Sequence, residues 1–267
     1  MKNTLVKEGE KLRLKDWPTG PDEAHAAKKD EIKEKTEKLY EKLSLLQELL
    51  NAEHKQRLLV VIQGLDTAGK DSTTRRVFGP MGPAGVRVIS YKAPTQPELE
   101  HDYLWRIHSQ VPGNGEAVVF NRSHYEEVLV VRVQGLRPEA VWKKRFDHIA
   151  EFERMLSDEG TTILKFFLHI SKAEQKVRLE ARLADKQKHW KFEDTDLRDR
   201  QDWDEYWLAY EEALSRTSTA HAPWHVIPAD KKWYRDYLVA EVLVSTLEGL
   251  NMQYPRSKPG MGKLKVV

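Results

Sequence analysis

The segment GLDTAGKDS, residues 64 to 72, has the residue types of a phosphate-binding loop. It follows the apolar run LLVVIQ and precedes a stretch with helical potential. A strand that turns through glycines into a helix directs several backbone N–H groups at one point, where the helix dipole also favours an anion. A glycine-rich turn that arose here by chance is the alternative interpretation. The predicted phosphate-binding residues of this loop are Gly64, Ala68, Gly69, Lys70, Asp71 and Ser72.

Carboxylates within the loop indicate a metal ion. In the usual pattern GxxxxGK[ST], a hydroxyl after the lysine ligates magnesium, whereas this chain has Asp71 there, followed by Ser72. Asp66 would repel bound phosphates unless a cation lay between them, so we predict that Asp66 binds Mg²⁺, with Mn²⁺ as an alternative ion. Asp66 could instead bond its own backbone, and Asp71 could simply favour the helix N-terminus.

A polar segment, NRSHYEE, begins where the third apolar run ends. The second magnesium ligand beside a phosphate loop, usually Asp, is expected at such a strand end. Asn121 can ligate through its amide oxygen but supplies no charge, so Glu126 or Glu127 must supply it. Arg122 would face the phosphates, or else pair with one of these glutamates. His124 is expected to be a local hydrogen-bonded residue rather than a catalyst.

Basic residues further along the chain could cover a phosphate chain. Arg178 and Arg182 lie four residues apart and therefore on one helix face. Lys188 belongs to a charged segment, rich in both signs, that no apolar run anchors to the core. We predict a helical lid over about 178–205 that brings cations to the phosphates. A charged surface hairpin is the alternative, since neighbouring acidic residues could neutralise the basic ones.

Two cations between the second and third apolar runs are further candidates for nucleotide binding. Lys92 belongs to the segment SYKAPT, which follows a strand-like run and ends in a proline turn. Lys92 would therefore lie on the ligand side of a sheet, or simply in solvent. Arg106 lies in a stretch with helical period, predicted as a helix over 98–110, and could reach a nucleotide phosphate.

The elements that must position these residues alternate along the chain. Strand-like runs begin at Leu58, Val86, Glu116, Ile163 and Trp224. Helical patterns separate or flank them, and cover 22–54, 98–110, 138–158, 172–185 and 196–216. Such alternation predicts an α/β fold with a parallel sheet covered by helices on both faces. Ligands of these sheets collect beyond the carboxyl ends of the strands, where the candidate residues lie.

Composition limits the setting. The chain has 267 residues and is predicted to form one domain, 1–267. Forty-four basic and 42 acidic residues give a net charge of +2, so no overall field favours nucleic acid as a partner. The absence of cysteine excludes disulfides and thiolate metal sites. The charged N-terminus lacks a signal-peptide core and no apolar run is long enough to span a membrane, so we expect a cytoplasmic protein without membrane partners.

Several separated motifs resemble those of the polyphosphate kinase 2 family. They are GLDTAGKD, FNRSHYEEVLVVRV, TTILKFFLHIS, HWKF with DRQDWDEYWLAYEEAL, and APWHVIPADKKWYRD, spread over about 52–254. The resemblance implies a P-loop kinase with a three-layer α/β/α fold similar to thymidylate kinase. It also implies an enzyme that uses inorganic polyphosphate as the donor, with Mg²⁺, to phosphorylate AMP and ADP. Asn121 with the following HYE is similar to the branch that accepts both nucleotides, in which Asp often stands where this chain has Glu127.

The site residues that the resemblance implies coincide with those above. They are Asp66, Lys70 and Asp71 in the loop, Asn121, Arg122 and Glu126 after the strand, and Arg178 and Arg182 in the lid. Asp66, Lys70, Arg122, Arg178 and Arg182 are predicted to be catalytic, and Asp66, Asn121 and Glu126 to hold the metal. Lys92, Arg106, Glu127 and Lys188 complete the predicted phosphate and nucleotide contacts.

Three functions remain open at this point. The leading hypothesis is reversible phosphoryl transfer between polyphosphate and AMP, ADP and ATP. An ATP-dependent kinase of a nucleotide or small metabolite would use the same loop and lid. The third is a non-catalytic nucleotide-binding protein, in which the irregular Asp71 and Asn121 mark a catalytic site that has lost its activity. The amphipathic helix over 22–54 favours a homo-oligomer, a dimer or a tetramer.

Overall fold

A five-stranded parallel sheet forms the centre of the computed structural model, which describes residues 4–191, 194–257 and 259. The strands are β1 (Arg57–Gln63), β2 (Val86–Ser90), β3 (Ala117–Asn121), β4 (Thr161–His169) and β5 (Trp224–Pro228). Their spatial order is β2-β3-β1-β4-β5, with every neighbouring pair parallel. β1 is buried from Leu58 to Gln63, as expected for the middle strand of a sheet covered on both faces. The predicted α/β fold and all five strands are confirmed.

Helices flank this sheet in two groups. α2 packs against α11, while α7 packs against α10 and β4. The helices are α1 (Glu23–Ala27), α2 (Lys29–Glu53), α3 (Lys70–Thr73), α4 (Gln96–Leu99), α5 (Trp105–His108), α6 (Val130–Val133), α7 (Glu139–Asp158), α8 (Lys172–Ala184), α9 (Asp194–Gln201), α10 (Trp203–Thr217) and α11 (Lys232–Gly249). Within the described ranges, no helix has the length and apolar character needed to cross a membrane.

The helix predicted over 98–110 is wrong. That stretch contains the end of α4 and all of α5, which a turn separates. Thr95 and Glu98 form a capping box that begins α4, and the Asp102 carboxylate accepts a hydrogen bond from the Leu104 backbone N–H at 2.9 Å. Because a side chain that binds nearby backbone competes with the helical ladder, Asp102 starts a new turn where the periodicity suggested continuity.

Two other predicted helices are each divided into two. The stretch 22–54 contains α1 and α2, which meet at Lys28 with backbone angles φ −101° and ψ 24°. The stretch 196–216 contains the end of α9 and most of α10, divided at Asp202 with φ −84° and ψ 21°. Periodicity predicted the helical character of both stretches but not these breaks, since one non-helical residue leaves the apolar spacing almost unchanged.

The sheet brings the candidate residues to one edge. The register pairs Ile62 of β1 with Asn121 of β3, and Gln63 of β1 with Phe167 of β4. The loop after β1 and the polar segment after β3 therefore leave neighbouring strands side by side. This is the edge at which parallel sheets bind ligands.

Candidate functional site

The loop between β1 and α3 is closed by its own backbone and by Lys70. The Ala68 N–H donates to the Leu65 carbonyl at 3.1 Å, and the Thr73 N–H donates to the Gly69 carbonyl at 2.9 Å. Gly69 has φ 109°, a conformation that favours glycine. The Lys70 ammonium donates to the Gly64 and Leu65 carbonyls at 2.7 and 3.3 Å. Burial is the main cause that lowers the pKa of Lys70, and Arg122 adds to it.

Asp66 lies where three cations converge. Its carboxylate is 2.9 Å from the Arg122 guanidinium and 3.8 Å from the Lys70 ammonium. Burial alone would raise the pKa of Asp66, but Lys70, Arg122, a side-chain hydrogen bond with Asp199 and Arg182 together outweigh it, and the pKa is lowered. The structure therefore brings together four residues that the sequence analysis chose from three separate segments, and it keeps Asp66 ionised.

The segment after β3 meets the loop through two side chains. The Asn121 amide N–H donates to the Asp71 carboxylate at 2.7 Å, which orients the amide and leaves its oxygen as the atom that could ligate a metal. Arg122 adopts φ 62°, a strained conformation for a residue other than glycine, while its backbone N–H donates to the Ile62 carbonyl at 3.2 Å. The guanidinium also lies 3.9 Å from Glu126. The pairing of Arg122 with a glutamate, foreseen as an alternative, thus occurs beside its contact with Asp66.

Glu127 faces a different set of partners from Glu126. It forms an ion pair with Arg145 of α7 and lies 3.9 Å from the guanidinium of Arg106. Arg106 is buried, donates to the Lys92 carbonyl at 3.0 Å and lies over the Tyr91 ring. The Lys92 side chain is exposed. Arg106, Glu127 and Lys92 therefore form a second group on the β2 side of the sheet, apart from the contacts of Asp66.

His124 belongs to a buried network rather than to the loop. Its Nε2 lies 3.2 Å from the Glu153 carboxylate, which also accepts from the Tyr125 hydroxyl at 2.8 Å. Lys165 of β4 completes the network through Glu153, at 2.5 Å. Burial of these charges is tolerated because they are paired and hydrogen-bonded. The network agrees with the expectation that His124 is a local hydrogen-bonded residue.

The predicted lid residues have different surroundings. The Arg178 guanidinium donates to the carbonyls of Thr67 and Ala68 at 3.0 and 3.2 Å, and to those of Ala229 and Asp230 at 2.7 and 3.1 Å.

The other predicted lid residues differ from Arg178. Arg182 lies close enough to Asp66 to lower the pKa of the Asp66 carboxyl. Lys188 forms an exposed ion pair with Asp185 at 2.6 Å. Residues 192 and 193 of the predicted lid lie outside the described residues.

Sequence reasoning missed three residues that contact the loop. Asp199 of α9 forms a side-chain hydrogen bond with Asp66 and accepts one from the Tyr206 hydroxyl at 3.0 Å. Burial, with Asp66 second, raises the pKa of Asp199 to about 6. The Gln175 amide donates to the Asp66 carbonyl at 3.2 Å, and Arg235 of α11 donates to the Ala68 carbonyl at 3.2 Å. Asp199 and Arg235 stand within two of the segments that carry the family resemblance, DRQDWDEYWLAYEEAL and APWHVIPADKKWYRD, and that position was the available signal. Gln175 carries no such signal, because packing alone brings α8 to the loop.

The donor atoms at this edge suit a hard divalent cation. Asp66 and Glu126 both approach the same guanidinium, so both carboxylates can face one positive charge. Asn121 adds a neutral oxygen. Among the described residues, no group of three or more His, Cys, Asp or Glu side chains could hold a metal ion. Magnesium in phosphoryl-transfer sites usually takes one or two carboxylates together with substrate phosphates and water, so the residues present fit it.

Comparison with known proteins identifies the family. The sequence model of the family described as Polyphosphate kinase 2 matches residues 26–255. The chain belongs to the polyphosphate kinase 2 family. The predicted resemblance and the assignment as a P-loop kinase are thereby confirmed.

Two curated members of the polyphosphate kinase 2 family match nearly end to end. An "AMP/ADP-polyphosphate phosphotransferase" of Meiothermus ruber is 53% identical over 100% of both chains. An "ADP-polyphosphate phosphotransferase" of Rhodopseudomonas palustris is 43% identical over 98% of this chain and 94% of its own. A solved polyphosphate kinase 2 from Arthrobacter aurescens TC1 is 45% identical, covers 88% of this chain and 84% of its own, and superposes with a TM-score of 0.86.

Proposed function

We propose that this protein transfers a phosphoryl group from inorganic polyphosphate to AMP and to ADP, forming ADP and ATP, with Mg²⁺. The observation that carries the proposal is the convergence of Lys70, Arg122 and Arg182 on Asp66 at the phosphate-binding loop of a polyphosphate kinase 2. Cations around a carboxylate can neutralise a polyanionic donor while the carboxylate serves the metal.

The chemistry asks little more of the protein than positioning. A terminal phosphate oxygen of AMP or ADP attacks the terminal phosphorus of polyphosphate, and the P–O bond to the rest of the chain breaks. The attacking oxygen is already anionic, so no side chain has to remove a proton. When bound, Mg²⁺ would offset phosphate charge as a Lewis acid, held by Asp66, Asn121 and Glu126. Lys70, Arg122 and Arg182 would hold the donor phosphates and stabilise the charge of the transferring group.

The acceptor is assigned by similarity and by the second group of residues. The relative with higher identity is named for both AMP and ADP, and the one with lower identity for ADP alone. We therefore assign both nucleotides to this chain. We place the acceptor phosphate on the β2 side of the sheet, where the exposed Lys92 follows that strand. Arg106 lies 3.6 Å from Glu98 and 3.9 Å from Glu127, so it would have to leave these carboxylates in order to bind the phosphate. The ion pair of Glu127 with Arg145 would hold this region in shape.

Other parts of the proposal follow from the sequence. Mn²⁺ would replace Mg²⁺ because both are hard cations that accept oxygen ligands. A homo-oligomer, a cytoplasmic location and no nucleic-acid partner stay predictions. Arg178 and Lys188 also stay proposed phosphate contacts, and each would have to leave its present partners in order to reach a substrate.

The proposal is tested by offering purified protein, Mg²⁺ and polyphosphate together with AMP or ADP, each alone, and separating the nucleotides by chromatography. A parallel reaction contains ATP as the only donor. We expect ADP and ATP to form from AMP, and ATP from ADP, only when polyphosphate is present. Transfer from ATP to an acceptor without any transfer from polyphosphate would instead establish an ATP-dependent kinase.

A further inference from the structure

Arg235 contacts the phosphate-binding loop from the side of α11. It lies far along the chain, in the first turn of that helix, and its side chain is fully buried. One guanidinium nitrogen donates to the Ala68 carbonyl at 3.2 Å, and another donates to the Ser72 hydroxyl at 2.9 Å. The planar group thus joins the end of the loop to the first turn of α3. A lysine here would offer one nitrogen in place of the two separate nitrogens that make these contacts.

The charge of Arg235 is balanced within its own helix. Two of its nitrogens donate to the same oxygen of Asp236, at 2.9 and 2.7 Å. A buried guanidinium that already has a carboxylate partner needs no substrate anion to compensate it. Arg235 is therefore fixed against the loop before any phosphate binds, and it acts on the substrate through the loop.

Gly69 and Arg235 fit each other closely. A Cβ atom built on Gly69 would lie 1.8 Å from a guanidinium nitrogen of Arg235, far inside contact distance. Gly69 also has φ 109°, which disfavours any side chain. The glycine before Lys70 is thus required by its backbone conformation and also by the arginine that packs on it.

Ser72 is oriented by the same contact. Its hydroxyl accepts from Arg235 at 2.9 Å and donates to the Gly69 carbonyl at 2.9 Å. This arrangement accounts for the irregular end of the loop motif. The hydroxyl follows Asp71 and braces the loop, whereas the usual pattern places a hydroxyl directly after the lysine, on the metal.

We propose that Arg235 is a positioning residue that holds residues 68–72 in the shape needed to bind the donor phosphates, with Ser72 as its partner. The proposal rests on the proposed function only in taking this loop as the phosphate site. It assigns to Ser72 a bracing role in place of the direct phosphate contact predicted from the sequence. It also predicts that Arg235 acts chiefly on binding of the donor and not on binding of the acceptor.

The test compares Arg235→Lys with Val239→Ala. Val239 is buried one turn further along α11, so its truncation destabilises the same helix while Arg235 and its hydrogen bonds to Ala68 and Ser72 are kept. For each variant, kcat and the KM values for polyphosphate and AMP are measured beside the melting temperature. We expect Arg235→Lys to raise the KM for polyphosphate at least tenfold, with the KM for AMP changed less than threefold. Val239→Ala should lower the melting temperature while leaving both KM values within twofold of wild type.

Ser72→Ala provides a second variant if Arg235→Lys does not fold. We expect it to raise the KM for polyphosphate at least threefold. In the double variant with Arg235→Lys the two effects should not multiply, because both substitutions remove the same contact between Arg235 and Ser72. Unchanged KM values in both variants, or equal kinetic changes in Val239→Ala, would overturn the proposal. The rise in melting temperature on adding tripolyphosphate gives a readout without turnover. If wild-type protein shows that rise but no transfer from polyphosphate, the proposed function fails while the role of Arg235 is still tested.

Discussion

The guanidinium of Arg122 donates a hydrogen bond to the carboxylate of Asp66 across 2.9 Å and joins the segment after β3 to the loop after β1. The donor comes from a residue with strained backbone, at φ 62°. Strain of this kind persists where the surrounding structure fixes it, and it is concentrated at functional sites. Binding of phosphate and metal would divide this pair, since Arg122 would turn to the phosphate and Asp66 to the cation.

Replacement of Arg122 by Ala should lower kcat by about a hundredfold, because the variant lacks one of the positive charges that stabilise the transferring phosphoryl group. The measurement is the initial rate with polyphosphate and AMP at saturation, with the melting temperature as a check on folding. Arg154→Ala, which removes an exposed arginine of α7, is the control and should leave kcat unchanged. A kcat within threefold of wild type in Arg122→Ala would remove Arg122 from the mechanism.

Replacement of Asp66 by Asn should weaken the binding of Mg²⁺ more than it lowers the stability of the fold. Asn keeps an oxygen ligand but loses the charge, so we expect the Mg²⁺ concentration for half-maximal rate to rise at least tenfold, and excess Mg²⁺ to restore part of the rate. Titration of Mg²⁺ at fixed substrate checks this. Asp204→Asn, at an exposed position in the first turn of α10, is the matched control. An unchanged Mg²⁺ requirement in Asp66→Asn would argue against a ligand role.

Exchange of Asn121 and Asp71 tests the contact that orients the amide. Asn121→Asp would place two carboxylates where a hydrogen bond of 2.7 Å now lies. We expect this variant to lose about 1 kcal/mol of stability in metal-free buffer, which is roughly 2–4 °C in melting temperature for a chain of this size. The double variant with Asp71→Asn restores one donor and one acceptor, so it should recover most of that loss. Additive losses in the double variant would mean that the contact contributes nothing.

The position of much of this site could be predicted, because each buried strand is an apolar run whose end can be located in the sequence. The apolar runs of β1 and β3 are followed directly by Gly64 and by Asn121, so both segments could be assigned to the ligand edge without a structure. The present partners of Arg178 could not be predicted in this way. Its charge and its place on α8 suggested a phosphate contact, yet it donates to four backbone carbonyls.

The contacts that distant residues make with the loop through tertiary packing could not be predicted. Arg235 and Asp199 come from helices whose periodicity fixes which face is buried but not which loop that face meets. The same limit explains the missed break between α4 and α5, because the Asp102 side chain decides it through a single hydrogen bond. Local patterns determine elements, whereas these contacts depend on the whole arrangement of elements.

Salt should affect the donor far more than the acceptor. Polyphosphate carries about one charge per unit, so its binding releases counterions as nucleic-acid binding does. With three cations at the site, we expect the KM for polyphosphate to rise roughly tenfold between 50 and 200 mM KCl. The KM for AMP should change much less, since AMP carries fewer charges. Equal salt dependence for both substrates would contradict the assignment of these cations to the donor.

His169, the last residue of β4, should make the protein sensitive to acid. Burial lowers the pKa of His169 to about 4, well below the value of 6.5 for an unfolded chain. The unfolded state therefore binds the proton first, so this contribution to stability is complete above pH 6.5 and is lost as the pH falls toward 4. The loss amounts to about 3 kcal/mol at most. Within the described residues its Nδ1 has no hydrogen-bond partner.

Replacement of His169 by Leu should reduce this acid sensitivity. We expect the difference in melting temperature between pH 7 and pH 5 to be smaller in His169→Leu than in wild type. His101→Leu, which alters an exposed histidine, is the control and should behave as wild type. Equal acid sensitivity in His169→Leu and wild type would show that other groups cause it.

The identity of the phosphoryl donor is tested most directly with radiolabelled polyphosphate. Protein with Mg²⁺, labelled polyphosphate and unlabelled AMP should produce labelled ADP first and labelled ATP later. Lys70→Ala, purified in the same way, should transfer label at least a hundredfold more slowly, which excludes a contaminating kinase. Label that stays in polyphosphate, while ATP phosphorylates an acceptor at a rate that depends on Lys70, would contradict the account.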